Sequence, residues 1–367
     1  MRVERLVEKP DARRLKLSDG RLCVDFSSNS YLGLQDEVGI RAARLFLKKK
    51  FPSSAGSSRM VSGTHILHRR LESELAGWLG AEDAAVFGSG YLCCFGVISA
   101  LTGSRDRILF DEKIHASLRT GIHHSESASE SFKHADVSDL KRKLAAGRPR
   151  GGTFIVTDGL FSMDGDFAPL AAMDKLAERH NAWLIVDDAH AIGGVGRQGK
   201  GTFEISGLKL ARRHILIGTL SKTFASYGGF VASEKSVVGF VKARSKEFIY
   251  TTAAPPFQML AAMEALSIVR SKKGAALRRT LDRNIRLLGQ LLGRNLSSPI
   301  VRVPVSGGPE AVVAAGRKLW DEGCYAVGMR YPTVPRGQEM IRISISAAHM
   351  PGDIRHLADV LMRLTRR

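Results

Sequence analysis

Through the middle of the chain, short apolar and β-branched runs alternate with amphipathic stretches, the layout of βαβ units around a mainly parallel sheet. Residues 84–87, 107–110, 153–157, 183–187, 215–218 and 230–232 read as buried strands. Between them, residues 67–79, 115–122, 137–146 and 169–180 carry the polar and apolar spacing of helices with one buried face. The pattern changes after Pro255 and Pro256, where a long helical stretch reaches toward Arg294 and short strands follow at 300–305 and 341–346. The expectation is a large α/β domain over 38–245 and a smaller α+β domain over 246–367. Residues 1–37, strand-like at 22–26, are expected to pack near the small domain or across the domain junction.

Composition narrows the class. The chain has 367 residues, 44% hydrophobic and 25% charged, with 37 glycines and no repeat or low-complexity segment, the profile of a soluble globular protein. Cys23, Cys93, Cys94 and Cys324 form no CxxC pair, so reduced thiols in the cytoplasm are expected. The N-terminus carries charge where a signal peptide needs an apolar core, and no apolar run reaches membrane-spanning length. The net charge of +19 invites a nucleic-acid reading. Its basic clusters, at 48–50, 141–143, 212–213 and 272–273, are scattered and lack interleaved aromatic residues, which argues against a specific nucleic-acid site. A solvated basic surface, or one that attracts a polyanionic thioester or an acidic carrier protein, fits better.

Chemistry gathers where strands end. Lys222 lies among small residues just past the strand at 215–218, with no acidic neighbour, and a lysine so placed can form a Schiff base. Asp187 and Asp188 close the strand at 183–187 with His190 beyond them. Two adjacent carboxylates and a histidine suggest a metal, but one carboxylate paired with a protonated ring nitrogen is the simpler reading, because neighbouring side chains at a strand end point to opposite sides. Ser89, Gly90 and Tyr91 follow a strand and open a helix, where free backbone N–H groups favour an anion. Thr219, Ser221 and Thr223 flank Lys222 and can cap a phosphate. His115 follows the strand at 107–110 and can stack on a planar ring. The polar cluster at 157–166 closes another strand, at the end where ligands bind in open α/β sheets.

Taken in order, the motifs at 26–34, 61–63, 157–166, 186–190, 218–229, 249–256, 331–335 and 341–349 closely resemble the α-oxoamine synthases, nearly end to end. These are fold-type I (aspartate aminotransferase-like) pyridoxal-phosphate enzymes that condense an amino acid with an acyl thioester. The resemblance implies a large, mainly parallel-sheet α/β domain with a smaller α+β domain, pyridoxal 5'-phosphate as cofactor, no metal, and a homodimer with shared active sites. It implies that Lys222 carries the cofactor and acts as acid/base, that Asp187 pairs with the ring nitrogen, and that His115 stacks on the ring. Ser162 and His190 would lie by the phenolic oxygen. Ser89, Gly90, Tyr91 and Thr219 would hold the phosphate, joined by Thr252 of a neighbouring subunit. Arg342 and Asn29 would bind the amino acid.

Within the family, residues 249–256 and the run from Asp187 to His190 are most similar to the branch that joins L-alanine to pimeloyl-CoA or a pimeloyl carrier-protein thioester in biotin biosynthesis. Tyr331, Pro332, Gly337 and Gln338 resemble glycine C-acetyltransferases, and residues 224–230 resemble serine palmitoyltransferases. Residues 91–95 depart from the family, where small or amide side chains are commoner. A non-catalytic partner subunit of the same fold is the alternative of a different class, against which the intact lysine argues.

Overall fold

The computed structural model describes residues 6–147 and 149–365. In chain order, β1 (Val7–Glu8), β2 (Arg14–Leu17) and β3 (Leu22–Asp25) precede α1 (Gln35–Lys49) and α2 (Ile66–Leu79). The central alternation follows as β4 (Asp83–Phe87), α3 (Gly90–Leu101), β5 (Arg107–Asp111), α4 (Ala116–His124), β6 (Ala128–Phe132), α5 (Val137–Ala145), β7 (Thr153–Asp158), α6 (Leu170–His180) and β8 (Trp183–Asp187). Then come α7 (Thr202–Ile205), β9 (His214–Thr219), β10 (Gly229–Ser233), α8 (Lys235–Arg244), α9 (Lys246–Ile249) and α10 (Pro256–Arg270). The chain closes with α11 (Lys272–Leu292), β11 (Ile300–Pro304), α12 (Gly308–Asp321), β12 (Cys324–Tyr325), β13 (Val327–Met329), β14 (Met340–Ser344) and α13 (Pro351–Thr365).

Two compact units result. One comprises 37–161 and 167–271, the other 1–36, 162–166 and 272–367. The first is built on a seven-stranded sheet in the order β4-β10-β9-β8-β7-β5-β6. β5 through β9 run parallel, and β10 enters antiparallel between β4 and β9. The inner strands are apolar without alternation because both faces are covered, as in Ile215, Leu216 and Ile217 of β9. β6 at the edge has the sequence Ala-Ser-Glu-Ser-Phe and is exposed except at Phe132. A mostly polar strand of this kind carries no hydrophobic signal in the sequence.

Residues 246–271 pack with this sheet unit rather than with the C-terminal part, because α10 buries Met259, Leu260, Met263 and Leu266 there. Conversely, residues 162–166 fold with the second unit, where the Ser298 hydroxyl donates to the Gly165 carbonyl at 2.6 Å and Arg302 pairs with Asp164 at 3.1 Å. The long helical stretch expected after Pro256 is two helices. Ser271 breaks it, with extended backbone and a hydroxyl donating to the Ile268 carbonyl at 2.7 Å.

The second unit holds two small sheets, β1-β2-β3-β12 and β11-β14-β13. Helix α11 buries Leu281, Ile285 and Leu288 and carries Lys272, Arg279, Arg283 and Arg286 outward. Among the described residues, no helix is long and apolar enough to cross a membrane.

Candidate active site

Parallel strands deliver their carboxyl ends to one side of the sheet. The turns after β5, β7, β8 and β9, with the start of α3, enclose a cavity of ≈ 230 Å³. Its walls bring together Ser89, Gly90, Tyr91, His115, Asp187, His190, Thr219 and Lys222, eight of the positions singled out in the sequence.

Lys222 reaches the cavity because its loop is pinned on either side. Leu220 and Phe224 are buried, the Leu220 N–H donates to the Gly228 carbonyl at 2.9 Å, and the Ser226 hydroxyl donates to the Gln258 carbonyl at 2.7 Å. The side chain is half-buried, and Nζ lies 2.8 Å from His190 Nε2. Thr223, a sequence candidate for phosphate, instead turns into the protein, where its methyl would meet a Cβ at Gly193.

Asp187 and Asp188 part as strand geometry requires. Asp187 lines the cavity, and its Oδ1 accepts the Ala189 N–H at 3.1 Å. Asp188 points away and accepts both the hydroxyl and the N–H of Thr202, at 2.7 and 2.9 Å. Gly201 leaves it room: at φ +78°, a Cβ there would stand 1.8 Å from Asp188 Oδ2. Burial pushes the Asp188 carboxyl up to about 7, opposed by the two Thr202 hydrogen bonds.

A second carboxylate faces the cavity beside Asp187. Asp158 ends β7 in register with Asp187 on β8, and it accepts the His115 N–H at 3.0 Å. Burial first, then the charge of Asp187, raise its pKa well above the ordinary carboxylate range. His115 caps α4, and its Nδ1 lies 2.7 Å from the Ser117 hydroxyl. Burial and the Lys222 charge lower the imidazole's pKa, against the pull of Asp187.

Another part of the wall is the start of α3. Ser89 caps α3 by accepting the Leu92 N–H at 3.1 Å, leaving the first helical N–H groups, at Gly90 and Tyr91, for a ligand. β10 closes tightly behind this turn: a Cβ on Gly229 would lie 2.6 Å from both Gly90 Cα and the Ser89 carbonyl oxygen. The Thr219 hydroxyl shares a 2.8 Å hydrogen bond with Ser221, which also lines the cavity. Tyr91 is partly exposed, with its hydroxyl 2.8 Å from that of Thr120.

The remaining candidates lie elsewhere. In the second unit, Arg342 is buried on β14; Nε donates to the Ser162 carbonyl at 2.6 Å, Nη1 to the Ser344 hydroxyl at 2.7 Å and Nη2 to Asn29 Oδ1 at 3.0 Å. These bonds group Arg342, Asn29 and Ser162. Thr252, in the sheet unit, is exposed and bridges Ser58. Cys94, Ser117 and Asp158 also line the cavity; Asp158 belongs to the polar cluster at 157–166, and the other two were given no site role in the sequence. Two were within reach of spacing arguments: Cys94 lies four residues into the helix opened by Gly90, on the same face, and Asp158 ends its strand as Asp187 ends the next.

Comparison with known proteins agrees with this geometry. The family described as Aminotransferase class I and II matches residues 21–361. The chain is 38% identical over 375 residues to the 8-amino-7-oxononanoate synthase of Azoarcus sp. (strain BH72), covering 99% of this chain and 93% of that protein. It is 37% identical over 354 residues to the 8-amino-7-oxononanoate synthase of Trichlorobacter lovleyi, covering 95% and 90%. Among solved structures, serine palmitoyltransferase from S. paucimobilis superposes with a TM-score of 0.93 at 29% identity, covering 99% of this chain and 92% of that one, and was solved with a pyridoxal-phosphate adduct of myriocin. The 8-amino-7-oxononanoate synthase of Francisella tularensis superposes at 0.77 with 25% identity, covering 93% and 97%. With the family model matched over residues 21–361 and the relatives aligned over nearly the whole chain, the chain belongs to the aminotransferase class I and II family.

Proposed function

We propose that this chain is a pyridoxal-phosphate-dependent acyltransferase that condenses L-alanine with a pimeloyl thioester of coenzyme A or a carrier protein. Carbon dioxide and the free thiol leave, and 8-amino-7-oxononanoate is formed. The observation that carries the reading is the single cavity holding Lys222, Asp187, His115 and the cradle at Ser89 to Tyr91. The identity to 8-amino-7-oxononanoate synthases over nearly the whole chain supports the choice of substrates.

The cavity fits the cofactor on its own terms. The α3 turn offers N–H donors to a phosphate, with the Ser221 hydroxyl nearby. Asp187 offers a carboxylate to the ring nitrogen, and His115 a flat ring to stack against it. When bound, pyridoxal phosphate supplies an electron sink for the pair left on the amino acid's α-carbon.

The chain's own groups do the rest. Lys222 Nζ, beside His190 Nε2, holds the cofactor and then takes and returns the α-proton. Asp187 keeps a proton on the ring nitrogen. The lowered pKa of His115 favours the neutral imidazole, suited to stacking. Arg342, steadied by Asn29 and Ser162, binds the substrate carboxylate through its guanidinium. A second copy completes the site with Thr252; exposed Met60, Val61 and Tyr250 on the flanking segments supply apolar surface for that contact. The four buried free thiols suit the cytoplasm.

The higher TM-score to serine palmitoyltransferase favours L-serine with a long acyl thioester as the second reading. Crossing L-alanine, glycine and L-serine with acetyl, pimeloyl and palmitoyl thioesters separates the two. L-Alanine with the pimeloyl thioester is expected to turn over fastest; faster turnover of glycine with acetyl-CoA or of L-serine with palmitoyl-CoA contradicts the proposal.

A further inference from the structure

Asp187 Oδ2 accepts a hydrogen bond from the Cys94 thiol at 3.2 Å, in addition to the backbone donor on Oδ1. Cys94 projects from the first turns of α3 and is 2% exposed. Ser117 lines the same cavity and interacts with the Cys94 side chain, and its hydroxyl lies 2.7 Å from His115 Nδ1. His115 Nδ1 also accepts the Ser117 N–H at 3.3 Å, so Ser117 is held at the start of α4, beside Cys94 and the carboxylate it meets.

We propose that Cys94, backed by Ser117, is a positioning residue that keeps the Asp187 carboxylate turned toward the cofactor's ring nitrogen, so that the shared proton stays on the nitrogen. This rests on the pyridoxal-phosphate reading above. The thiol fixes one carboxylate oxygen; without it the carboxylate can turn from the ring nitrogen, and the ion pair that holds the ring proton weakens. The thiol suits this role because it stays a neutral donor: burial, then the charge of Asp187, hold its pKa well above the usual thiol range. The titratable groups around Asp187 are Cys93 and Cys94 from α3, His115 at the start of α4, Asp158 from β7, its neighbour Asp188, His190 after β8, and Lys222 after β9. Of these side chains, Cys94 makes the direct hydrogen bond to Asp187.

The test is nitrogen NMR of holoprotein reconstituted with ring-nitrogen-labelled pyridoxal phosphate, followed against pH in wild type, Cys94→Ala, Cys94→Ser, Ser117→Ala and Cys93→Ala. In Cys94→Ala, the pH at which the ring nitrogen loses its proton is expected to fall by about half a unit or more. Ser117→Ala, one link upstream, shifts it the same way by less. Cys94→Ser retains a donor and stays near wild type, and Cys93→Ala leaves the titration unchanged. A Cys94→Ala or Ser117→Ala titration that superposes on wild type overturns the inference alone, as does an equal shift in Cys93→Ala. A wild type that takes up no cofactor overturns the pyridoxal-phosphate reading and this inference with it.

Discussion

Asp187 and Asp188 are chemically identical neighbours whose surroundings assign them different tasks. Asp187 opens on the cavity, whereas Asp188 ties the Gly201–Thr202 turn to the end of β8. In the role proposed for Asp187, Asp187→Asn removes the charge that would hold a proton on the ring nitrogen, and turnover is expected to fall on the order of a hundredfold or more with little loss of folding. Asp188→Asn acts on stability instead, because the amide accepts poorly at two positions; it should cost roughly 1–3 kcal/mol. Asp188 also makes stability depend on pH. Its folded pKa is raised from 3.8 to about 7, so its contribution is complete at low pH and is lost as pH rises through that window. Urea unfolding should therefore show the gap between wild type and Asp188→Asn widening as pH falls from about 7 toward 4; a constant gap contradicts the assignment. Lys222, Asp187 and His115 were legible in the sequence because each follows a recognisable strand. Ser117 was not, since its contribution depends on what stands across the cavity.

At the scale of elements, the strands that build the site announced themselves by apolar content, and their order and direction did not. Nothing in the residues of β10 marks it as antiparallel between β4 and β9, and the break at Ser271 is invisible in an uninterrupted helical pattern. Another feature hidden from local pattern is the anchor joining α2 to β4. Glu72 is buried; its Oε1 accepts from Arg59 at 2.8 Å and from the Val86 N–H at 3.0 Å. Arg59 also donates to the Val86 carbonyl at 3.1 Å, and its guanidinium lies 4.9 Å from the Phe248 ring centroid. Glu72 occupies a buried position of α2 that a sequence pattern would assign to an apolar residue. Glu72→Ala strands the arginine in the interior and should destabilise the fold by about 3–5 kcal/mol in denaturant unfolding. Glu72→Ala unfolding within error of wild type would show that the pair holds nothing together.

Across the whole molecule, the net charge of +19 is the property least tied to any one element. Such a field raises the encounter rate with an anionic thioester and is screened by salt. Between roughly 50 and 500 mM salt, kcat/KM for the pimeloyl thioester should drop severalfold while that for zwitterionic L-alanine changes little; equal sensitivity of both substrates would remove steering from the account. The fold class and the cofactor pocket could be read from motif order, whereas the acyl chain could not, because residues 91–95 combine family-like helix entry with the unusual Cys93 and Cys94. The direct test of the central claim is a product balance: wild-type holoprotein incubated with L-alanine and pimeloyl-CoA, with 8-amino-7-oxononanoate identified by mass and both carbon dioxide and free coenzyme A quantified. The account predicts one of each per turnover, and none of them from Lys222→Ala. Thiol release without that product, or unchanged turnover in Lys222→Ala, would contradict it.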